Sequence, residues 1–350
     1  MIGKIKKFNF KSLLILNTFS LIVISYIFKN SIFIGIFLLF FFIALFSTKY
    51  GLKIITKLNL LQNIREKGPS THLSKSNTPT TGGVFIIFPF LILILTASIK
   101  IYSIKLLFLF FAVSGFLIIG LIDDFLSIKN KENIGLKSKD KFILQSLISI
   151  VFIFLAYERD YISPIIMISN TWGIDAGMTI IPISFLTLVG LSNSVNLTDG
   201  LDGLAAGCSA IVFFGLGTEI LLKGQQDLII FAILCFSISG LCLGFLEFNK
   251  YPAKIFMGDT GSLSIGAILG SISIITNSFF TIFIISGIFI VESLSVIIQV
   301  GYFKFTKEVF GNGKRIFLMA PLHHHFELKG MKEEKIVENF WKINTILVIF

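Results

Sequence analysis

The feature that most limits what this chain can become is the recurrence of long apolar runs, at about residues 12–28, 32–47, 83–99, 104–122, 142–157, 179–194, 204–222, 228–246, 261–276, 279–300 and 336–350. A helix that crosses a bilayer needs about 20 mostly apolar residues. With 54% of its 350 residues hydrophobic, the chain has little left for a water-soluble domain. The expectation is an all-α, polytopic integral membrane protein: one domain over residues 1–350, with about 10 transmembrane helices, or 11 if the first run crosses. Lys4, Lys6, Lys7 and Lys11 precede that first run, and no small-residue cleavage site marks it as a signal peptide.

The net charge of +10 would point to nucleic acid in a soluble protein, but here Lys and Arg first report topology. Lys49, Lys53, Lys57, Arg65, Lys67 and Lys75 fall in one loop, and Lys129, Lys131, Lys137, Lys139 and Lys141 in the next alternate one. A late loop carries Lys304, Lys307, Lys314, Arg315, Lys329, Lys332 and Lys335. The opposite set holds only Lys29, Lys100, Lys105, Arg159 and Lys223, so the first set is expected to be cytoplasmic. The three cysteines, Cys208, Cys235 and Cys242, sit in apolar runs and support neither a disulfide framework nor a metal site.

His72, His323, His324 and His325 all lie in the expected cytoplasmic loops, as do Asp123, Asp124, Asp199, Asp202 and Asp259 at the ends of runs. One acidic residue in a loop is merely solvated; five at span ends on one side call for a reason. Asp123 and Asp124 close a helix that descends to the cytoplasm, where each carboxylate opposes the helix dipole by roughly 0.3–1 kcal/mol. A bound cation, a shared proton or a plain solvated turn would relieve them. In the stretch from Asn196, NLTDGLDG, residues Asn196, Asp199 and Asp202 recur every third position, which brings them together on a helix or tight turn. Gly200, Gly203 and Gly207 leave room for a phosphate or a neighbouring helix. Asp259, just before a run, reads either as an N-cap or as a ligand of a metal-bound phosphate at a helix N-terminus. The three consecutive histidines lack helix-borne zinc spacing and fit a donor cluster for phosphate or carboxylate better than a zinc site. Acids able to hold Mg²⁺, Lys and His able to hold phosphates, and Phe256 near Asp259 make an inventory for phosphoryl transfer to a lipid.

HLSKSNTPTTGG from His72, Asp123-Asp124, NLTDGLDG from Asn196, FMGDTGS from Phe256, ESLSVIIQVGYFK from Glu292 and PLHHHFELKG from Pro321 resemble the phospho-N-acetylmuramoyl-pentapeptide transferases. That family belongs to the polyprenyl-phosphate N-acetylhexosamine-1-phosphate transferase superfamily. The resemblance implies transfer of phospho-MurNAc-pentapeptide from its UDP carrier to undecaprenyl phosphate, giving lipid I and UMP. It further implies a Mg²⁺ requirement and a place in the bacterial inner membrane with the site facing the cytoplasm. The partners expected are those two substrates and membrane lipid, with no nucleic acid; a homodimer is a candidate assembly.

By the same resemblance Asp259 is the metal ligand. Asp123 deprotonates the lipid phosphate or attacks the pyrophosphate, with Asp124 in support. Lys75, Thr80, Asn196, Asp199, Asp202, Asn249 and Phe256 match the nucleotide side, with Phe256 as the uracil stacker, and His323, His324 and His325 the phosphates or the sugar-peptide. Thr81 stands where relatives carry Met, and Asn77 where Gly is common. Ser127 and Ile134 replace common lysines, leaving Lys129, Lys131, Lys139 and Lys141 as local cations, of which Lys131 and Lys139 are assigned to phosphate. A sister enzyme using UDP-GlcNAc would share the Asp motifs but not the HHHFELKG loop. A secondary transporter would instead use Glu219 and Glu292, the main acids inside runs.

Overall fold

The computed structural model describes residues 8–57, 78–129, 135–169 and 171–349. Within these, the chain folds into thirteen α-helices and one small hairpin. The first nine helices are α1 (Phe10–Ile27), α2 (Ile32–Lys57), α3 (Val84–Ile101), α4 (Ile104–Lys129), α5 (Ser138–Tyr157), α6 (Ile180–Thr198), α7 (Leu204–Leu222), α8 (Ile229–Asn249) and α9 (Gly258–Ile275). They are followed by α10 (Phe279–Ile285), α11 (Gly287–Phe310), α12 (Leu322–Leu328) and α13 (Glu333–Ile349). Between α5 and α6, β1 (Ile165–Met167) pairs antiparallel with β2 (Gly173–Asp175), Ile166 opposite Ile174.

Ten helices, α1 to α9 and α11, are long and apolar enough to cross a membrane. The first run is therefore among them. Two runs at the other end behave differently from the expectation. The run at 279–300 breaks at Ser286 (φ −89°, ψ 15°), where the Ser286 hydroxyl bonds the Ile282 carbonyl and Gly287 follows. A Ser-Gly pair is a common site for a helix break, because a side chain competes for the backbone acceptor and the next residue resists helix. The last run forms α13, 17 residues long, which opens with Glu333 and Glu334 and buries one face, Ile336, Val337, Phe340, Trp341 and Asn344.

Helices α7, α8 and α9 are largely buried inside the bundle, while the others expose apolar surface outward. In lipid, close helix approach rests on small residues, because burying apolar side chains gains little over lipid tails. Gly240 and Gly244 of α8 lie against α2: a Cβ on either would come within 2.4 Å of Phe37 O or 2.2 Å of Phe41 O. Gly266 of α9 meets Leu191 and Ser192 of α6 in the same way, and Ser192 Oγ donates to Leu263 O at 2.9 Å.

The contact that matters for function is α4 on α9. A Cβ on Gly120 would stand 2.4 Å from Asp259 O and 2.6 Å from Thr260 Cα, backbone atoms that cannot turn away. Gly120→Ala is therefore expected to destabilise the protein by about 1–3 kcal/mol. By shifting Asp123 relative to Asp259 it should also lower turnover by about a hundredfold. Thermal unfolding in detergent and a turnover assay check this; an unchanged melting temperature and rate would mean that α4 and α9 do not approach as described.

At the far end of α9, roughly 27 Å from Asp259 by helical rise, Lys223 closes the helix C-terminus. Its Nζ donates to Thr276 O (2.6 Å), Asn277 O (3.2 Å) and Ser278 Oγ (2.8 Å) and pairs with Glu219 Oε1 at 2.9 Å. Glu219 is thus engaged at a helix end. A transport path through the bundle would need it near the midplane.

Candidate active site

Asp124 lies near the end of α4, and both its oxygens face the start of α9. Oδ1 accepts from Asp259 N (2.9 Å), while Oδ2 accepts from Thr260 N (3.2 Å) and Thr260 Oγ1 (2.6 Å). The first amides of a helix lack intrahelical acceptors and carry partial positive charge, so a carboxylate is the natural partner. The cap anticipated from Asp259 itself is supplied from another helix, and Asp259 sits inside the first turn with its side chain free for other work. Gly258 makes this possible: its φ is +70°, and a Cβ there would lie 2.5 Å from Asp124 Oδ2.

Asp123, one residue earlier, points to a different neighbour. Its Oδ1 accepts from Leu136 N at 2.9 Å and lies 2.9 Å from Lys141 Nζ. Lys141 also ion-pairs with Asp259 Oδ2, so one ammonium bridges two carboxylates from separate helices. The other oxygen of Asp259 accepts from Asn196 Nδ2 at 2.8 Å, and the same nitrogen reaches Ser262 Oγ at 2.9 Å. One oxygen each from Asp123, Asp124 and Asp259 fall within 4.8 Å of one another. Three carboxylates against one lysine leave an excess of negative charge in a half-buried place. The donor set is all hard oxygen, which suits Mg²⁺, a cation that takes one or two carboxylates and shares the rest of its shell with phosphates and water. Asp124 is committed to the helix cap, so Asp123 and Asp259 are the carboxylates with capacity to take a cation, and the Lys141 ammonium marks where positive charge is favoured between them.

The nucleotide-side residues expected from the sequence gather around the turn between α6 and α7. Asp199 ends α6, and burial, followed by the carboxylates of Asp259, Asp124 and Asp202, pushes its carboxyl up to about 8. Asp202 is buried and its Oδ2 accepts from Ala253 N at 2.8 Å. Asn249, also buried, donates to Ile255 O at 2.9 Å. These two bonds shape the segment that leads to Phe256. That segment is laced to the start of α3: Phe256 N donates to Pro79 O (2.8 Å), Gly82 N to Phe256 O (2.9 Å) and Gly83 N to Met257 O (2.8 Å). Buried Thr80 is thereby fixed beside half-buried Phe256. Thr81 adopts φ +67°, which costs a β-branched residue about 1–3 kcal/mol and persists only where the surroundings enforce it.

The histidines divide. His323 is fully buried; its backbone N donates to Glu292 Oε1 at 3.2 Å, and its Nδ1 lies 3.3 Å from Glu292 Oε2 without hydrogen-bond geometry. Burial holds the imidazole below its ordinary value, with Glu292 opposing. Glu292 therefore anchors α12, a junction role in place of a transport role. The His323 ring lies under the Asp199 turn, where a Cβ on Gly200 would stand 2.2 Å from Nε2. His324 pairs with Glu327 at 2.7 Å, and His325 Nδ1 accepts from Leu318 N at 3.1 Å.

Lys75, Lys131 and His72 lie outside the described residues. Lys139 is exposed on α5, whereas Lys141 enters the carboxylate cluster. On a helix these two lysines point roughly opposite ways, at 100° per residue. The sign that selects Lys141 was present in the sequence: Lys141, Gln145 and Ser149 recur every fourth position, a polar stripe on an apolar helix, and Gln145 and Ser149 are both buried.

A family model described as Glycosyl transferase family 4 matches residues 106–277, which takes in Asp123, Asp124, Asn196 and Asp259. A phospho-N-acetylmuramoyl-pentapeptide-transferase of Prochlorococcus marinus (strain MIT 9301) is 71% identical over 349 residues, covering 100% of this chain and 98% of that relative. The protein of the same name from strain MIT 9215 is 70% identical over 349 residues, with the same coverage of 100% and 98%. One from Synechococcus sp. is 41% identical over 300 residues, covering 85% of this chain and 86% of that protein. The identity runs the length of the fold and spans every element that builds the acidic cluster, and the chain therefore belongs to the phospho-N-acetylmuramoyl-pentapeptide-transferase family.

Proposed function

We infer that this protein transfers phospho-MurNAc-pentapeptide from UDP-MurNAc-pentapeptide to undecaprenyl phosphate, releasing UMP and forming lipid I at the cytoplasmic face of a bacterial inner membrane. The observation that carries this reading is the Asp123–Lys141–Asp259 cluster, set beside the turn and loop that bear Asp199, Asp202 and Phe256. An oxygen of the lipid phosphate attacks the sugar-bearing phosphorus, the bond to the UMP oxygen breaks, and a new pyrophosphate links lipid and sugar. Asp123 accepts the proton of the lipid phosphate. Its Oδ1 is held by Leu136 N and Lys141, which leaves Oδ2 to take the proton. Asp259, with Asp123 beside it, would hold Mg²⁺, which when bound would supply positive charge against the pyrophosphate. Asn196 and Lys141 keep Asp259 aimed, and Phe256 offers its ring to the base of the nucleotide. The lysines at this end of the bundle, among them Lys49, Lys53, Lys304 and Lys307, support its cytoplasmic orientation.

The deciding experiment is UMP release with undecaprenyl phosphate as acceptor, comparing UDP-MurNAc-pentapeptide with UDP-GlcNAc, with Mg²⁺ and after chelation. We expect at least about a hundredfold preference for the muramoyl donor and loss of turnover on chelation. Equal or better turnover of UDP-GlcNAc would assign the chain to the sister chemistry.

A further inference from the structure

The turn between α6 and α7 is held from behind by a residue that the chemistry does not use. Glu333, the first residue of α13, accepts a hydrogen bond on Oε1 from Asp202 N at 2.7 Å. We propose that Glu333 is a positioning residue for the nucleotide-sugar donor, fixing the Asp199–Asp202 turn and, through it, the segment that carries Phe256. This rests on the reading that turn and segment hold the nucleotide.

Asp202 N lies in a tight connection between two helices, where backbone donors have no helical partner, and its residue is buried. Without Glu333 that donor loses an acceptor in a place with little water. The acceptor is also well placed to transmit position, because α13 is itself fixed. Trp341 packs against α7 where a Cβ on Gly207 would stand 2.2 Å from Nε1, and Asn344 Nδ2 donates to Cys208 O at 3.1 Å. Gly203, in the same turn, has φ +79°, and a Cβ there would lie 3.3 Å from Lys250 Cα and 3.6 Å from Trp341 Cζ2. Turn, α13 and the 250–257 segment therefore meet at one point. From it Asp202 Oδ2 reaches on to Ala253 N, three residues before Phe256.

The acidic cluster is positioned otherwise. Asp123, Asp124 and Asp259 depend on α4, α5, α9 and Asn196, and no bond in that set passes through α13. Loosening Glu333 should thus weaken hold on the donor and leave the chemical step and the lipid acceptor alone.

The test uses the full chain in detergent with Mg²⁺ and both substrates, comparing wild type, Glu333→Ala and Glu333→Gln. Glu333→Ala should raise KM for UDP-MurNAc-pentapeptide by about tenfold, equivalent to about 1.4 kcal/mol, with kcat and the undecaprenyl phosphate KM within about twofold. Glu333→Gln retains an acceptor oxygen and should restore the donor KM to within about threefold of wild type. A fall in kcat at constant KM, a parallel rise in both KM values, unchanged kinetics, or a Gln variant as impaired as Ala would each overturn the proposal. If Glu333→Ala fails to fold, the Gln variant decides alone, since a donor KM raised by about tenfold there contradicts the acceptor role. Failure of wild type to use the donor at all would instead overturn the function proposed above.

Discussion

Asp259→Ala is expected to lower UMP release by about a thousandfold or more, with no loss of thermal stability. Removing a single preorganised charge-stabilising group typically costs 10²–10³ in turnover, and Asp259 does more than one such group. It faces Lys141 with one oxygen and Asn196 with the other, and it is one of the two carboxylates with capacity left for the proposed cation. Stability should hold because the side chain does not cap its own helix; that role belongs to Asp124. Loss of the charge also relieves repulsion within a cluster that includes Asp123, Asp124 and Asp199. Melting temperature in detergent without Mg²⁺ should therefore stay level or rise. A variant that keeps Mg²⁺-dependent turnover would remove Asp259 from the metal site, and one that unfolds would reassign it to the fold.

Asp124→Ala is expected to fail in the opposite manner. Three donors lose their acceptor at a buried helix start: the amides of Asp259 and Thr260 and the Thr260 hydroxyl. An N-cap is worth about 0.5–2 kcal/mol and an unsatisfied buried donor about 1–3 kcal/mol, so a loss of about 2–4 kcal/mol is expected. Asp124→Asn keeps one acceptor oxygen and should fall between Ala and wild type. Asp123→Asn is the control, since an amide oxygen can still accept from Leu136 N. The expected order of melting temperature is wild type close to Asp123→Asn, then Asp124→Asn, then Asp124→Ala, although all three variants should turn over poorly. Equal stability of Asp124→Ala and Asp123→Asn would show that the interhelix cap contributes nothing.

The contrast between Asp124→Ala and Asp123→Asn separates neighbours that the sequence presents side by side. Asp123 and Asp124 are adjacent in a helix, so their side chains diverge by about 100°. One meets the amides of α9 and becomes part of the fold, while the other meets Leu136 and Lys141 and stays available. Periodicity within α4 cannot say which is which, because both neighbours come from distant parts of the chain. The same holds for Lys139 and Lys141. Charge composition marks the loop as basic, but only the rotation of α5 selects Lys141, and the polar stripe with Gln145 and Ser149 was its one trace.

The histidine run shows the converse. Three adjacent imidazoles read as one donor cluster, yet α12 turns them to three environments. His323 goes into the protein beneath Gly200, His324 to Glu327, and His325 to the Leu318 amide. Glu292, read as a candidate in a transport path, is what holds α12 in register.

The sequence by itself determined the membrane class, a count of about ten long apolar helices and the end of the bundle at which the acids and lysines collect. Those follow from local quantities, since run length is set by bilayer thickness and loop charge by topology. Only the tertiary structure decided which carboxylate caps α9, which lysine joins two acids, where the 279–300 run breaks, and how Glu333 reaches Asp202. Each depends on side chains from separate helices meeting within about 3 Å, the reach of a hydrogen bond. Interhelix rotation and close approach at residues such as Gly120 and Gly258 set those distances, and neither is written in the order of apolar and polar residues along one helix.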